Sequence, residues 1–592
     1  MVRWTKATRV FLLLVATLVA VLVVGGCEEQ ETADTMEAVE AGGETEAAPL
    51  SENAAQAGNR EVTVAGNARI YAFDPAGTML AAGALAFSSA GDILAVGKQA
   101  TVEQAFPDAR RIDLEGHTVL PGLIDSHGHL YGLAQTLTQA DLVGTASKDE
   151  VIARLREFET TLPEGEWLLG RGWDQNDWPV QEFPGRADLD GEFPDRPVWL
   201  ERIDGHAAWA NTRAMAAADR DLAGDWQPEG GLIHRGDDGQ ATGIFIDNAM
   251  ALVQQAVPPV PPELMDRALD LALRNLVSLG LTGVHDPGIN RSVVDAYRAK
   301  IAAGAWPLRV YAMADGMGPT LDWLCENGPV ADAGGRLQMR SVKLYADGAL
   351  GSRGAALLAD YADEPGSRGL LFAPDETLQA QMRRVLSCGL QLAVHAIGDG
   401  ANRQVLDAYE RLLPEFPDNP GRHRIEHVQV LDGADIPRFA ALGVIAAMQP
   451  IHATSDMYWA GERLGADRLA GAYAWKSLAD AGATLAFGSD FPVERANPML
   501  GIYAAVSRQD LEGWPAGGWQ PQERLTRERA IRAFTLDAAR AAFMEDSVGS
   551  LEAGKRADFI VLDHDLMQVP VAEIPAVRVL QTWVDGQRVF ER

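Results

Sequence analysis

Six residues of this 592-residue chain are of types that can hold metal ions, and each interrupts or closes an apolar run. His127 and His129 stand two apart in IDSHGHL, so in extended backbone both imidazoles face the same way and can reach one cation. His395 lies near the end of LQLAVHAIGD, His427 within RIEHVQV, and Asp490 closes TLAFGSD. Met singly, each reads more readily as a buried polar residue satisfied by its neighbours; five on one face read as a metal site. Lys343 is the sixth. It is one of seven lysines in the chain and sits between Val342 and Leu344, where a bare ammonium is costly. Two readings are open for it: an ion pair with Asp347 or another carboxylate, or carboxylation by carbon dioxide to a carbamate able to bridge two metal ions.

These residues need a scaffold that brings them to one place. Eight apolar runs of strand length, each ending in a polar residue or turn, recur from VLPGLID at Val119 to TLAFGSD at Asp490. Helix-compatible stretches such as Pro262 to Gly280 and Asp375 to Gly389 lie between them. Alternating buried strands and helices predict a parallel sheet, and eight repeats predict a closed (β/α)8 TIM barrel over residues 119–546, an α/β fold whose active face lies at the C-terminal strand ends. The gap between the first two runs is too long for one crossover helix and predicts an inserted subdomain at about 140–260. Short alternating runs at 61–118 and again at 547–592 predict a small β-sandwich built from both ends of the body.

The first 26 residues carry Arg3, Lys6 and Arg9, an apolar run from Val10 to Val24, and Gly25-Gly26 before Cys27. That is a secretory signal whose end resembles a lipoprotein cleavage site, with Cys27 as the lipidated residue; the run is short of the roughly 20 residues that span a bilayer. Glu28 after the cysteine points to the outer membrane, facing the periplasm. Residues 28–59 contain nine acids and no Lys or Arg, which predicts a disordered tether over 27–60. Overall, 83 acidic against 51 basic residues give a formal charge of −32, which excludes a nucleic-acid footprint. The three cysteines are too few for a disulfide scaffold. Cys325 and Cys388 read most simply as buried thiols, with a disulfide formed on export as the alternative.

The pattern of HGH after the first strand, Lys in the fourth, and His, His and Asp on the fifth, sixth and eighth resembles the amidohydrolase superfamily of metal-dependent hydrolases. GWDQNDWP, RIDGHAAWAN, VKLYADGALGSRGA, VHAIGDGANR, AMQPIHA and GSDFPVE resemble its amidohydrolase 3 branch, which contains YtcJ-like proteins and N-substituted formamide deformylases. The resemblance runs from about residue 60 to the end. It implies two zinc ions, His127 and His129 on one, His395 and His427 on the other, carboxylated Lys343 bridging, and Asp490 binding the first metal and the nucleophilic water. Metals that lower the pKa of water and polarise a carbonyl suit such a site, with Asp490 moving the proton to the leaving nitrogen.

The implied activity is hydrolysis of a non-peptide carbon–nitrogen bond, in an amide or cyclic amide, on a small-molecule substrate. An esterase, lactonase or phosphoesterase on the same site, and a non-catalytic solute-binding lipoprotein, are the competing readings. Trp173, Asp174 and His206 in the insertion are candidates to line the substrate pocket, with packing or fold-stabilising hydrogen bonds the alternative. Arg353 is a candidate for a substrate carboxylate or carbonyl, against a salt bridge. His452 and His285 are expected to support the ligands, His452 also facing substrate, while His117, His234, His423 and His564 read as structural or exposed. Oligomeric state is not legible.

Overall fold

The structure, a computed structural model, describes residues 61–74 and 76–592; the signal segment, Cys27 and the whole of the tether lie outside the described residues. Eight parallel strands form the central sheet, in order along the chain β1 (Leu123–Asp125), β2 (Leu281–Ile289), β3 (Arg309–Asp315), β4 (Leu337–Tyr345), β5 (Gln391–Ala396), β6 (Arg424–His427), β7 (Ile445–Met448) and β8 (Leu485–Phe487). Each pairs with its sequence neighbour. Between β8 and β1 the ring is drawn together by Ser126 N donating to Phe487 O at 3.0 Å. All eight apolar runs therefore enter the barrel, as expected from strands buried on both faces.

The first run does more than was expected of it. VLPGLID divides at Gly122, so that Thr118–Pro121 belongs to another sheet and only Leu123–Asp125 to the barrel. A Cβ on Gly122 would lie 2.2 Å from Thr282 Oγ1, so the chain can pass between the sheets at this point only without a side chain. That second sheet has six strands and joins Arg69–Phe73, Met79–Ala82 and Thr118–Pro121 to Phe559–Leu562, Val579–Val584 and Gln587–Glu591. A four-stranded sheet from residues 62–113 faces it across a core of Leu85, Phe87, Val119, Phe559 and Trp583, giving a sandwich made from both ends of the body.

The helix Pro262–Ser278 shows why the barrel's outer layer forms. Proline opens it, Glu263 lies in its first turn, and Met265, Ala268, Leu269, Ala272, Leu273 and Leu276 repeat at three and four residues to make one buried stripe. The insertion carries a six-stranded sheet of its own, from Ala140–Asp141 to Ala241–Asp247, packed around Trp173, Trp209 and Leu200. Among the described residues no helix is long and apolar enough to cross a membrane.

Cys325 and Cys388, expected foremost as buried thiols, are instead disulfide-bonded, 63 residues apart in sequence. The bond ties the helix Pro319–Asn327 to the C-cap of the helix Asp375–Ser387, two outer helices whose ends meet only in the folded barrel. Closing a loop of this length restricts the unfolded chain and is worth about 2–4 kcal/mol. Reduction, or replacement of both cysteines by serine, is expected to lower the denaturation midpoint accordingly; identical urea curves with and without reductant would count against it.

Candidate active site

The loops after β1 and β8 are held against each other, and they carry three of the six candidate residues. Asp125 is buried and accepts from His127 N at 3.1 Å and from Ser489 Oγ at 2.6 Å. Asp490 N donates to His127 O at 2.6 Å, and His129 N to Phe491 O at 2.7 Å. Between the two histidines, a Cβ on Gly128 would come within 2.3 Å of the Phe491 ring, which explains glycine in HGH. Asp490 (φ +59°) and His427 (φ +74°) both hold left-handed backbone that non-glycine residues seldom adopt. Such strain persists where the surroundings over-determine it, and here it falls on two of the residues aimed at the centre.

The structure gathers the six residues at the C-terminal end of the barrel. One ligand atom each from His127, His427 and Asp490 lie within 4.8 Å of one another. His129 Nε2 is 3.2 Å from Asp490 Oδ1, and Lys343 Nζ is 3.3 Å from His127 Nε2. The His395 ring packs 4.5 Å from that of His427, with Nε2 turned toward Gly348 O and Asp347 Oδ1, both at 3.5 Å. The ion pair considered between Lys343 and Asp347 is not formed: Asp347 accepts from the backbone N–H groups of Ala356, Ile397 and Gly398.

The rings are aimed from behind. His127 donates Nδ1–H to Glu426, which is itself held by Arg424 Nε at 2.6 Å and Nη2 at 2.9 Å. His129 donates to Pro287 O at 3.2 Å and His427 to Gln449 Oε1 at 2.9 Å. This fixes tautomer and orientation as metal-binding histidines require. Glu426 escaped the sequence reading, although RIEH, with two charges alternating with an apolar residue in a buried strand, carried its signal. Glu426→Gln is expected to cost about 10–100-fold in metal affinity, measured by chelator competition; unchanged affinity would assign Glu426 to folding alone.

Burial pushes His127 down to about 4, with the charge of Lys343 adding to it, and holds His395 and His427 well below the ordinary range. Burial also brings Lys343 down to about 8. Asp490 stays well below the usual carboxylate range even though burial opposes this, because His127, His129 and His452 surround it. Its Oδ1 is buried and accepts no hydrogen bond. Neutral imidazoles on His127, His395 and His427 beside an ionised carboxylate with a spare lone pair fit a divalent cation, so the chain has a candidate metal site.

Two cavities open on this centre, of 590 Å³ and 250 Å³, and share Asp204, His206, His395, His427 and Asp490. His206 lines both, its Nδ1 2.7 Å from Asp247 Oδ1. His452 lines the smaller one, with Nε2 3.5 Å from Asp490 Oδ2 and Nδ1 3.3 Å from Glu494 Oε1. Burial opposes charge on His452, yet these two carboxylates push it up to about 10. Asp174 also lines the smaller cavity, paired with Arg202. Trp173 does not line either: it is fully buried in the core of the insertion and donates Nε1–H to Leu200 O at 2.9 Å. Arg353 is likewise outside the lining, in a salt bridge with Asp363 at 2.8 Å and Glu364 at 3.0 Å. His285 stands behind Glu426, accepting from Arg424 Nη1 at 2.8 Å.

The profile of the amidohydrolase family matches residues 110–590. The chain is similar to the YtcJ protein of Bacillus subtilis (strain 168), 36% identical over 498 residues, 82% of this chain and 91% of that one. It is also similar to the N-substituted formamide deformylase of Arthrobacter pascens, 30% identical over 529 residues, 85% of this chain and 94% of that one. Among solved structures, a metal-dependent hydrolase from Pyrococcus horikoshii OT3 superposes with a TM-score of 0.70 at 28% identity, covering 86% of this chain and 99% of the other.

Proposed function

The chain belongs to the amidohydrolase family and is a hydrolase, and from that premise we propose that it cleaves a carbon–nitrogen bond other than a backbone peptide, in an N-substituted amide or cyclic amide. The reading is supported most by one observation: an ionised, buried Asp490 at the end of β8 beside the neutral imidazoles of His127 and His427. His127 and His129 would hold one zinc ion, His395 and His427 a second, and Lys343, carboxylated, both. Burial favours the neutral amine of Lys343, the form that reacts with carbon dioxide. When bound, the ions polarise the scissile carbonyl and make water acidic enough to attack near neutrality. Asp490 takes the proton of that water on Oδ2, beside His452, and returns it to the leaving nitrogen. An amine is too poor a leaving group to depart without it, which is why the site suits amides.

Metal analysis of the purified protein, followed by assays across N-substituted amides, hydantoins, lactones and phosphoesters, tests this. About two equivalents of metal and fastest turnover on an amide class are expected. A metal-free, inactive protein that binds a solute would overturn it, and faster turnover of a lactone or phosphoester would reassign the bond.

We also propose an exported protein anchored through lipidated Cys27 in the outer membrane and facing the periplasm. The Cys325–Cys388 disulfide supports this, since such bonds persist in oxidising compartments. Labelled fatty acid should enter the native protein and not Cys27→Ser; equal labelling of both would sink the anchor.

A further inference from the structure

All but two of the tyrosines in this chain donate their hydroxyl to an acceptor within the folded body. The two exceptions are Tyr131 and Tyr345, whose hydroxyls have no hydrogen-bond partner among the described residues. Both line the larger cavity, and no other tyrosine lines either cavity. A half-buried hydroxyl left without a partner is a donor for whatever enters, provided that the ligand brings an acceptor.

Of the two, Tyr345 stands at the reacting centre. It ends β4 two residues after Lys343, so both side chains leave the strand on one face. Lys343 Nζ lies 5.0 Å from the centre of its ring. On the neighbouring strand its register partner is His395, with ring centroids 5.8 Å apart. Asp490 lines the same cavity from the end of β8, four strands away in the ring of eight, and its charge reaches the Tyr345 hydroxyl. The two groups therefore approach the cavity from opposite sides of the barrel mouth. Gly288, near the end of β2, keeps the hydroxyl uncovered: it holds φ +74°, and a Cβ there would lie 3.1 Å from Tyr345 Oη. Burial, then the charges of Asp315 and Asp490, hold the phenol well above its ordinary range, so it stays a protonated donor.

We propose that Tyr345 is a catalytic hydrogen-bond donor: its hydroxyl binds the oxygen of the scissile carbonyl from the side opposite Asp490 and tightens on it as attack turns that oxygen into a tetrahedral anion. No proton leaves the tyrosine, and the proton of the attacking water still goes to Asp490. A fixed donor aimed where charge develops stabilises the transition state more than the ground state. The identity of the bond rests on the amide-hydrolase reading; the role of the hydroxyl needs only a carbonyl.

Tyr345→Phe keeps the ring against His395 and removes one oxygen. On the metal-loaded full-length protein with N-benzylacetamide, kcat is expected to fall by about 10²-fold, with KM and metal content nearly unchanged. In Tyr131→Phe, which removes the other open hydroxyl of the same cavity, kcat should fall by much less. An equal fall in both variants, or metal lost from Tyr345→Phe in proportion to activity, overturns the assignment. Calorimetric titration with dimethylphosphinate, a small tetrahedral anion, reads the same contact without turnover. Its Kd should rise by about tenfold in Tyr345→Phe and stay near the native value in Tyr131→Phe. Amide turnover by the native protein, with kcat and phosphinate binding both unchanged in Tyr345→Phe, overturns the donor and leaves amide hydrolysis standing. Weakened phosphinate binding in Tyr345→Phe, in a protein that hydrolyses no amide, overturns the amide reading and supports the donor.

Discussion

Asp490→Asn is expected to lower kcat by about 10³-fold, within the range that a positioned acid–base group contributes, while most of the bound metal stays in place. The substitution keeps the size of the side chain and one oxygen that can face the cation, but the amide cannot accept the proton of the attacking water or deliver it to nitrogen. The geometry separates the two duties. Oδ1 faces His127 and His129, whereas Oδ2 faces His427 and His452 on the side of the smaller cavity. Metal content by elemental analysis and kcat at neutral pH, measured on the same preparation, decide the matter. Metal and activity lost in proportion would make Asp490 a ligand only.

Replacing Lys343 by alanine is expected to remove about one equivalent of metal and to lower activity by about 10³-fold or more, because several kcal/mol of carbonyl polarisation and water activation depart with the ion. The surroundings of this lysine motivate the expectation. Lys343 is buried, its ammonium lies 3.3 Å from His127 Nε2, and the carboxylate once considered as its partner, Asp347, is occupied by three backbone N–H groups. A buried lysine with no carboxylate in contact among the described residues is explained if its charge changes sign on carboxylation. Carbon-13 NMR after incubation with labelled bicarbonate should show a carbamate in the native protein and none in the variant. Full metal content and activity in Lys343→Ala would reduce the residue to a packing role.

Much of this molecule is legible in one dimension. A strand buried on both faces must be nearly continuous in apolar residues, so the eight runs could be found without knowing their neighbours. Polar residues at their ends could then be placed on one face by topology alone. His127, His129, Lys343, His395, His427 and Asp490 were identifiable because each breaks an apolar run at a strand end, where burial would otherwise select against it. For Cys325 and Cys388 the sequence left free thiols and a disulfide both open: 63 residues separate them, and only the packing of two outer helices brings their Cα atoms to 5.1 Å.

The residues misjudged or missed share a cause. Trp173 lies in a motif rich in polar residues, yet strand alternation turns its ring into the core of the insertion, and Arg353 finds Asp363 and Glu364 nearby rather than the cavity. Glu426 aims His127 from 299 residues away, and the carboxylates lining the smaller cavity come from the insertion and from the segments after β7 and β8. The sequence by itself determined the barrel, the family and the metal-ligating residue types, because those follow from periodicity and from chemistry that tolerates few substitutes. Only the tertiary structure decided which side chains face the two cavities, which cysteines join, and which residues hold the ligating rings from behind. Those outcomes depend on distances between segments far apart in the chain, and a local pattern does not encode them.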